Sequence, residues 1–362
     1  MESPVCGVQR ARRGAAGFHS FQKLRAVVGA AAGSPMLDRV NRRTLLVGGG
    51  LLLASCDRRG PGGSARKLRV SVVGKGDGDT EVLLRTAGIA TPGFQVEYVN
   101  FESGHLVVEA FNGGALDYGG MSEIPPIFAA GAGPPSFRQV AISHGDVNNQ
   151  VVLVPSGSPI ESLADLKGKR VGYVRATTAH YFLIGMLQSV GLTWADITPV
   201  ALSVADGEAA FASGRLDAWA IYGFPIQRAI ATEGARILKT ARGFLSGNYL
   251  VAAHVNALAD PVTSDLIGRY LRVTKQAYAW AAAHQDQWAA VVAKEIGVPL
   301  SYVQDQFRRR SDVSSLRPVS EAAIASQQTV ADAFAKAKLI PRAVNVRPLW
   351  DDRFNAIIEE KA

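Results

Sequence analysis

Residues 109–120 read EAFNGGALDYGG, and one hundred positions later residues 209–220 read AAFASGRLDAWA. Ala110, Phe111, Gly114, Leu116 and Asp117 return as Ala210, Phe211, Gly214, Leu216 and Asp217. A chain that repeats a step in this way is constrained to build the same unit twice. The unit itself is legible. Val107, Ala110 and Phe111 stand at helical spacing on one face. Gly113 and Gly114 stop the helix, because glycine enters the left-handed C-cap without a Cβ clash. Leu116 then opens a short apolar run that reads as a strand.

Helix–glycine–strand is also among the commonest units of α/β proteins, so a second matched pair of segments matters. KLRVSVVGKGDGDTEVLLRTAGI (67–89) reads as a strand, a Gly/Asp loop and a helix, and GKRVGYVRATTAHYFLIGMLQSVGL (168–192) does the same at nearly the same offset. The order strand, polar loop, helix, strand, helix, glycine, strand therefore occurs twice. It predicts two β-α-β-α-β halves facing each other across a cleft, and clefts between domains are favoured ligand sites.

The length of 362 residues allows two such domains. The formal net charge of +8 suggests nucleic acid until it is located. Residues 1–55 hold eight Lys/Arg against two Asp/Glu, which leaves 31 against 29 in the rest of the chain. The basic excess belongs to the leader, and nucleic acid is not expected as a partner. Within that leader Arg39, Arg42 and Arg43 precede TLLVGGGLLLAS, an apolar run from Thr44 to Ser55. The run is shorter than the roughly 20 residues of a spanning helix and fits the h-region of an export signal. It ends in Leu53-Ala54-Ser55-Cys56, which resembles a bacterial lipobox, and Asp57 resembles an inner-membrane retention residue. An ordinary signal peptide with a coincidental cysteine is the alternative. Residues 1–35 make the n-region too long, and Met36 is the more natural start; 1–35 is read as a non-native or disordered extension. The expected layout is then a lipoprotein signal over 36–55, lipidation at Cys56 and a Gly/Pro/Arg tether over 56–66. A mature chain keeping only Cys56 leaves no disulfide framework.

No HExxH, G-x-S-x-G elbow or Walker loop occurs, and none of the six histidines pair at i, i+4. GKGDGD (74–79) is either an anion-holding loop or a simple turn. Without a nucleophile–base pair the chain points to binding rather than catalysis, with no catalytic residue, metal or cofactor. The loop Ala176-Thr177-Thr178-Ala179-His180 lies between a strand and a helix start. Free N–H groups beside threonine hydroxyls suit an anion, although Thr177 or Thr178 also fits as a plain N-cap.

GALDYGGMSEIPPIFAAGAG (114–133), SPIESLADLKGKRVGY (158–173), GRLDAWAIY (214–222) and LIPRAVNVRPLW (339–350) together resemble the periplasmic aliphatic-sulfonate-binding proteins of ABC importers, within the wider taurine-, nitrate- and pyrimidine-precursor-binding group. The resemblance covers about residues 67–350. It implies an α/β, type II periplasmic-binding-protein fold of two lobes joined by two hinge crossings, near 153–157 and 248–254. Lobe one is expected over 67–154 and 252–350, completed by long helices at 264–284 and 320–339. Lobe two is expected over 155–251, with a tail over 351–362. The resemblance places Lys75, Gly76, Gly120, Met121, Ser122, Thr177, Thr178, Ala179, His180, Tyr222 and Asn248 at the ligand. The implied protein is a periplasmic lipoprotein on the inner membrane. It would be monomeric, binding an alkanesulfonate for an ABC permease. Where relatives read Trp-Asp-Pro this chain reads Tyr222-Gly223-Phe224. The missing carboxylate favours sulfonates without an amino group, unless Asp77 or Asp79 replaces it. Taurine, nitrate or a pyrimidine precursor remain alternative ligands, and a sensor remains an alternative role. A thiamine-pyrimidine-synthase-like enzyme is disfavoured, because those enzymes show a cysteine-rich motif.

Overall fold

Each copy of the repeat lies in its own sheet and supplies matching strands to it. The computed structural model describes residues 66–76, 78–91 and 93–360. The extension, signal peptide, Cys56, nearly all of the tether and Asp77 lie outside the described residues.

Lobe one begins with β1 (Lys67–Val73), α1 (Thr80–Ala87), β2 (Gln95–Phe101), α2 (Gly104–Asn112), β3 (Tyr118–Ser122), α3 (Ile124–Ala132) and β4 (Phe137–His144). Lobe two follows with β5 (Gln150–Val154), β6 (Arg170–Tyr173), α4 (Thr178–Ser189), β7 (Thr198–Ala201), α5 (Val204–Ala212), β8 (Ala218–Tyr222), α6 (Phe224–Glu233) and β9 (Arg236–Thr240). The chain then returns as β10 (Asn248–His254), α7 (Val255–Ala259), α8 (Pro261–Ala283), α9 (Gln285–Ile296), α10 (Leu300–Arg309), β11 (Ser315–Arg317), α11 (Glu321–Lys336) and α12 (Asn355–Glu359).

The lobe-one sheet runs β2-β1-β3-β10-β4-β11 and the lobe-two sheet runs β7-β6-β8-β5-β9. In each, two parallel pairings surround the first repeat strand, and one antiparallel strand is inserted beside the third. Apolar layers cover the sheets. Leu68, Val70 and Ala253 pack under α8 and α9 in lobe one, and Val152, Val171 and Ala220 pack under α4 in lobe two. The repeated glycines sit where they must: Gly114 has φ +67° and Gly214 has φ +69°, the left-handed conformation that ends each helix.

Two expected boundaries are corrected. β5 pairs with β8 and β9, so it belongs to lobe two, and the first crossing is 145–149, ahead of 153–157. β10 pairs with β3 and β4 in lobe one, so the second crossing is 241–247, ahead of 248–254. Each crossing delivers the inserted antiparallel strand of the sheet it enters. Both strands are largely apolar, and a buried run fits the centre of either sheet. The expected tail is also not a tail. Phe354 and Ile358 are buried against the lobe-one core, and Arg272 pairs with Glu360. The two long helices fall where expected.

Candidate functional site

The first strands of both halves end at one interlobe cavity of about 300 Å³. The starts of α1, α2, α4, α5 and α6 all open onto it, through Thr80, Gly104, Thr178, Val204 and Phe224. Helix starts carry unpaired N–H groups and the positive end of the dipole, so such a convergence favours an anion. The starts are not equivalent. Asp79 caps α1 by accepting from the Val82 N–H at 3.0 Å, and Ser203 caps α5 by accepting from the Asp206 N–H at 3.0 Å. Prolines in the first turns of α3 and α6 remove N–H groups there. The starts of α2 and α4 have no side-chain cap.

The α4 start is the more developed of the two. Ala176 adopts φ +57°, a left-handed conformation that costs a non-glycine residue roughly 1–2 kcal/mol. Thr177 is 3% exposed, and its hydroxyl donates to the Val174 carbonyl at 2.7 Å. That hydroxyl is therefore spent, and Thr178, which also lines the cavity, carries the side-chain donor of the loop. Among the described residues no buried Lys or Arg lines the cavity; Lys75 and Glu102, of opposite charge, are exposed at its edge.

Of the expected site residues, Lys75, Gly76, Gly120, Met121, Ser122, Thr177, Thr178 and Tyr222 line the cavity. Gly76 does so in apolar company: a Cβ there would stand 3.5 Å from Ile296 Cγ2 and 3.7 Å from Val292 Cγ1, on α9. Its φ of +101° lies in the region that favours glycine. Three of the expected residues are not among those lining the cavity. The Ala179 side chain is fully buried in the lobe-two core. His180 is 3% exposed and sits among Tyr173, Trp194, Phe128 and Phe334 at ring separations of 4.9–6.3 Å. Burial, helped by Arg175, lowers its pKa to about 4 and keeps the ring neutral at physiological pH. Helical geometry turns both side chains inward and leaves only their backbone N–H groups at the helix start. Asn248 does not line the cavity; its Oδ1 meets His144 Nδ1 at 3.1 Å, and His144 is the residue that lines it.

The position expected to carry a carboxylate in relatives has a backbone reason to be glycine here. Gly223 holds φ +74° and ψ −154°, and its N–H donates to the Asn149 carbonyl at 3.1 Å. Asp79, the described substitute, is committed to its helix cap.

Sequence reasoning missed Asp146, Gln150 and Tyr249, which also line the cavity and come from the first crossing and the strands that follow the two crossings. The Tyr249 hydroxyl donates to the Asp146 carbonyl at 2.9 Å, and the Gln150 amide donates to Tyr249. Polar residues heading the apolar run VVLV were the available signal.

A carboxylic acid sits just behind the cleft. Glu123 is 2% exposed and accepts from Ser246, in the second crossing, at 2.9 Å and from Ser326, on α11, at 3.5 Å. Burial pushes its pKa up to about 7, against the pull of the two serines.

The family profile described as NMT1/THI5 like matches residues 90–288. The chain belongs to the NMT1/THI5-like family. It is 32% identical over 261 residues to an Escherichia coli protein named as aliphatic sulfonates-binding, an alignment covering 72% of this chain and 80% of that one. Among solved structures it is similar to the alkanesulfonate-binding protein SsuA from Xanthomonas axonopodis pv. citri bound to MOPS, with a TM-score of 0.72, 30% identity, and coverage of 79% of this chain and 98% of that one. The periplasmic aliphatic sulphonate binding protein SsuA from Escherichia coli gives a TM-score of 0.69 at 30% identity, covering 80% and 93%. The two-lobed architecture of this NMT1/THI5-like chain is accordingly the periplasmic-binding-protein fold. The desulfurization enzyme DSZB shares that fold at 17% identity, with a TM-score of 0.59.

Proposed function

We propose that this chain is an extracytoplasmic solute-binding protein, not an enzyme, that closes its two lobes on an aliphatic sulfonate and delivers it to an ABC permease. The observation that carries the reading is the uncapped, threonine-bearing start of α4 at a cavity where, among the described residues, no cationic side chain is buried. A sulfonate spreads one charge over three oxygens and stays ionised at all physiological pH values. Oriented N–H groups hold such an anion without burying a matching charge. In this reading Thr178 donates its hydroxyl, while Thr177, Ala179 and His180 act through the backbone. Met121 and Tyr222 flank the alkyl chain, and Gly120, Ser122, Lys75 and Gly76 close the lobe-one side. The similarity to sulfonate-binding proteins in two bacteria supports the ligand class. The crossings at 145–149 and 241–247 are short enough to act as hinges, and the closed face is what a permease would recognise.

Calorimetric titration with propanesulfonate tests the reading. Binding by the parent protein and weakening by Thr178→Val are expected; a lost hydrogen bond to a charged group costs about 1.5–3 kcal/mol. Binding of nitrate or a pyrimidine, with no response to any sulfonate, overturns the substrate. The anchored location rests on Cys56 and the preceding signal-like run. Cys56→Ser should move the protein from the membrane fraction to the soluble one. A variant that stays in the membrane fraction removes the lipid anchor.

A further inference from the structure

Two residues that line the cavity, Gln150 and Asp146, carry buried acceptor oxygens that have no donor among the described residues. Gln150 heads β5 and is 3% exposed, and its Oε1 is buried with no hydrogen-bond partner among the described residues. The orientation of its amide follows from the network. Tyr249 spends its proton on the Asp146 carbonyl, so the phenolic oxygen can only accept from Gln150, which must turn its NH2 toward it. The free end of the amide is thus the carbonyl oxygen. Asp146 lines the same cavity. Its Oδ1 accepts from the Asn148 and Ser311 N–H groups at 2.7 and 2.8 Å and from the Ser311 hydroxyl at 3.1 Å, while its Oδ2 is buried and unpartnered. Gln150 pairs in register with Tyr222 across β5 and β8. Cross-strand partners lie about 5 Å apart with side chains on one face. Tyr222 in turn stands beside Thr177, at the start of α4. Gln150 therefore sits one side chain away from the end of the cavity that suits an anion, and Asp146 lies next along, joined to it through Tyr249.

Buried acceptors without donors are costly, and a ligand that supplies the donor recovers that cost. We propose that Gln150 and Asp146 form a tail subsite selecting sulfonates whose far end carries a hydrogen-bond donor, a hydroxyl or an ammonium. This inference rests on the sulfonate reading of the same cavity. It also changes the expectation raised by Gly223: the missing carboxylate is replaced from the neighbouring segment, by residues of the first crossing and the strand it feeds.

The experiment compares three near-isosteric ligands on the full protein by calorimetry: ethanesulfonate, 2-hydroxyethanesulfonate and 2-aminoethanesulfonate. The donor-bearing pair should bind about tenfold tighter than ethanesulfonate. Gln150→Met should erase most of that gap. If Asp146 contributes its charge, the ammonium ligand exceeds the hydroxyl ligand, and Asp146→Asn removes the surplus; equal affinities confine the subsite to Gln150. Ethanesulfonate binding as tightly as both others in the parent protein overturns the tail subsite while leaving the sulfonate reading standing. So does a gap that survives Gln150→Met. No binding by any of the three, with nitrate or a pyrimidine bound instead, overturns both.

Discussion

The two lobes close their repeat with the same clasp and fill their interiors in opposite ways. In lobe one Arg69 donates to Asp117 from its backbone N–H at 2.9 Å, from Nε at 3.0 Å and from Nη2 at 2.6 Å, and reaches the Gly114 carbonyl at 2.6 Å. In lobe two Arg170 makes the same set to Asp217 at 2.7, 3.2 and 2.9 Å, and reaches the Gly214 carbonyl at 3.2 Å. The clasp ties the first strand of each half to the helix–glycine–strand step. It explains why the aspartate and the glycine return together in the sequence.

The space behind the third strand is filled differently. In lobe one the strand is bare at Gly119, where a Cβ would stand 2.6 Å from Ser71 Oγ and 3.0 Å from Val107 Cγ1. In lobe two the same place holds Trp219, fully buried, and the glycines have moved to its neighbours. A Cβ on Gly207 would stand 2.8 Å from the indole Nε1, and one on Gly172 would stand 3.1 Å from Cδ1. Val107 and Gly119 are thus exchanged for Gly207 and Trp219. A core tolerates such exchange when total volume is kept. A repeat is therefore conserved in its backbone wiring and free in its packing.

The largest test breaks the packing. Trp219→Ala should cost about 3–5 kcal/mol, and Gly207→Val should cost about 1–3 kcal/mol or more by overpacking. In the Trp219→Ala background Gly207→Val should be close to neutral, because both side chains claim one space. Urea denaturation followed by circular dichroism reads the cycle; simple additivity refutes the exchange.

Next in size is an opposition between buried titratable groups on the two sides of the cleft. Glu123 in lobe one has its pKa raised to about 7 from 4.5, so the native state holds the proton longer than the unfolded chain. Its contribution is present below pH 4.5 and is lost as pH rises through 7. His180 in lobe two has its pKa lowered to about 4 from 6.5, so the native state binds fewer protons. Its contribution is present above pH 6.5 and is lost as pH falls through 4. Each amounts to about 3 kcal/mol at most. Glu123→Gln should raise stability relative to the parent most at pH 7 and above. His180→Phe should lessen the acid loss. Parallel stability curves for parent and both variants between pH 4 and 8 would contradict the opposition.

The smallest effect sharpens the clasp. The Asp117 side chain is 13% exposed and that of Asp217 is 32% exposed, so the first pair is less screened. Asp117→Ala should cost about 2 kcal/mol and Asp217→Ala about 1 kcal/mol. Equal losses would mean that the paired hydrogen bonds, rather than their burial, set the energy.

Much of this was legible in residues 67–222 before any coordinates. Helical spacing at Val107, Ala110 and Phe111, the glycines after them and the doubled order of elements announce two α/β halves, because periodicity and glycine conformation are local. The loop 176–180 is likewise legible as a helix start. What the sequence could not determine is which way each residue of that start points. Ala179 turns into the lobe-two core, His180 turns into an aromatic cluster made by both lobes, and the Thr177 hydroxyl is taken by its own backbone. The sheets that receive VVLV and YLVAAH were misassigned from sequence, since a buried strand is apolar on both faces wherever it inserts. Gln150, Tyr249 and Asp146 were invisible as a group because they are distant in sequence, and their shared wall exists only once both crossings have delivered their strands. Local chemistry fixes the elements and where they begin and end. Contacts made across the cleft, between segments 100 residues apart, decide which side chains a ligand meets.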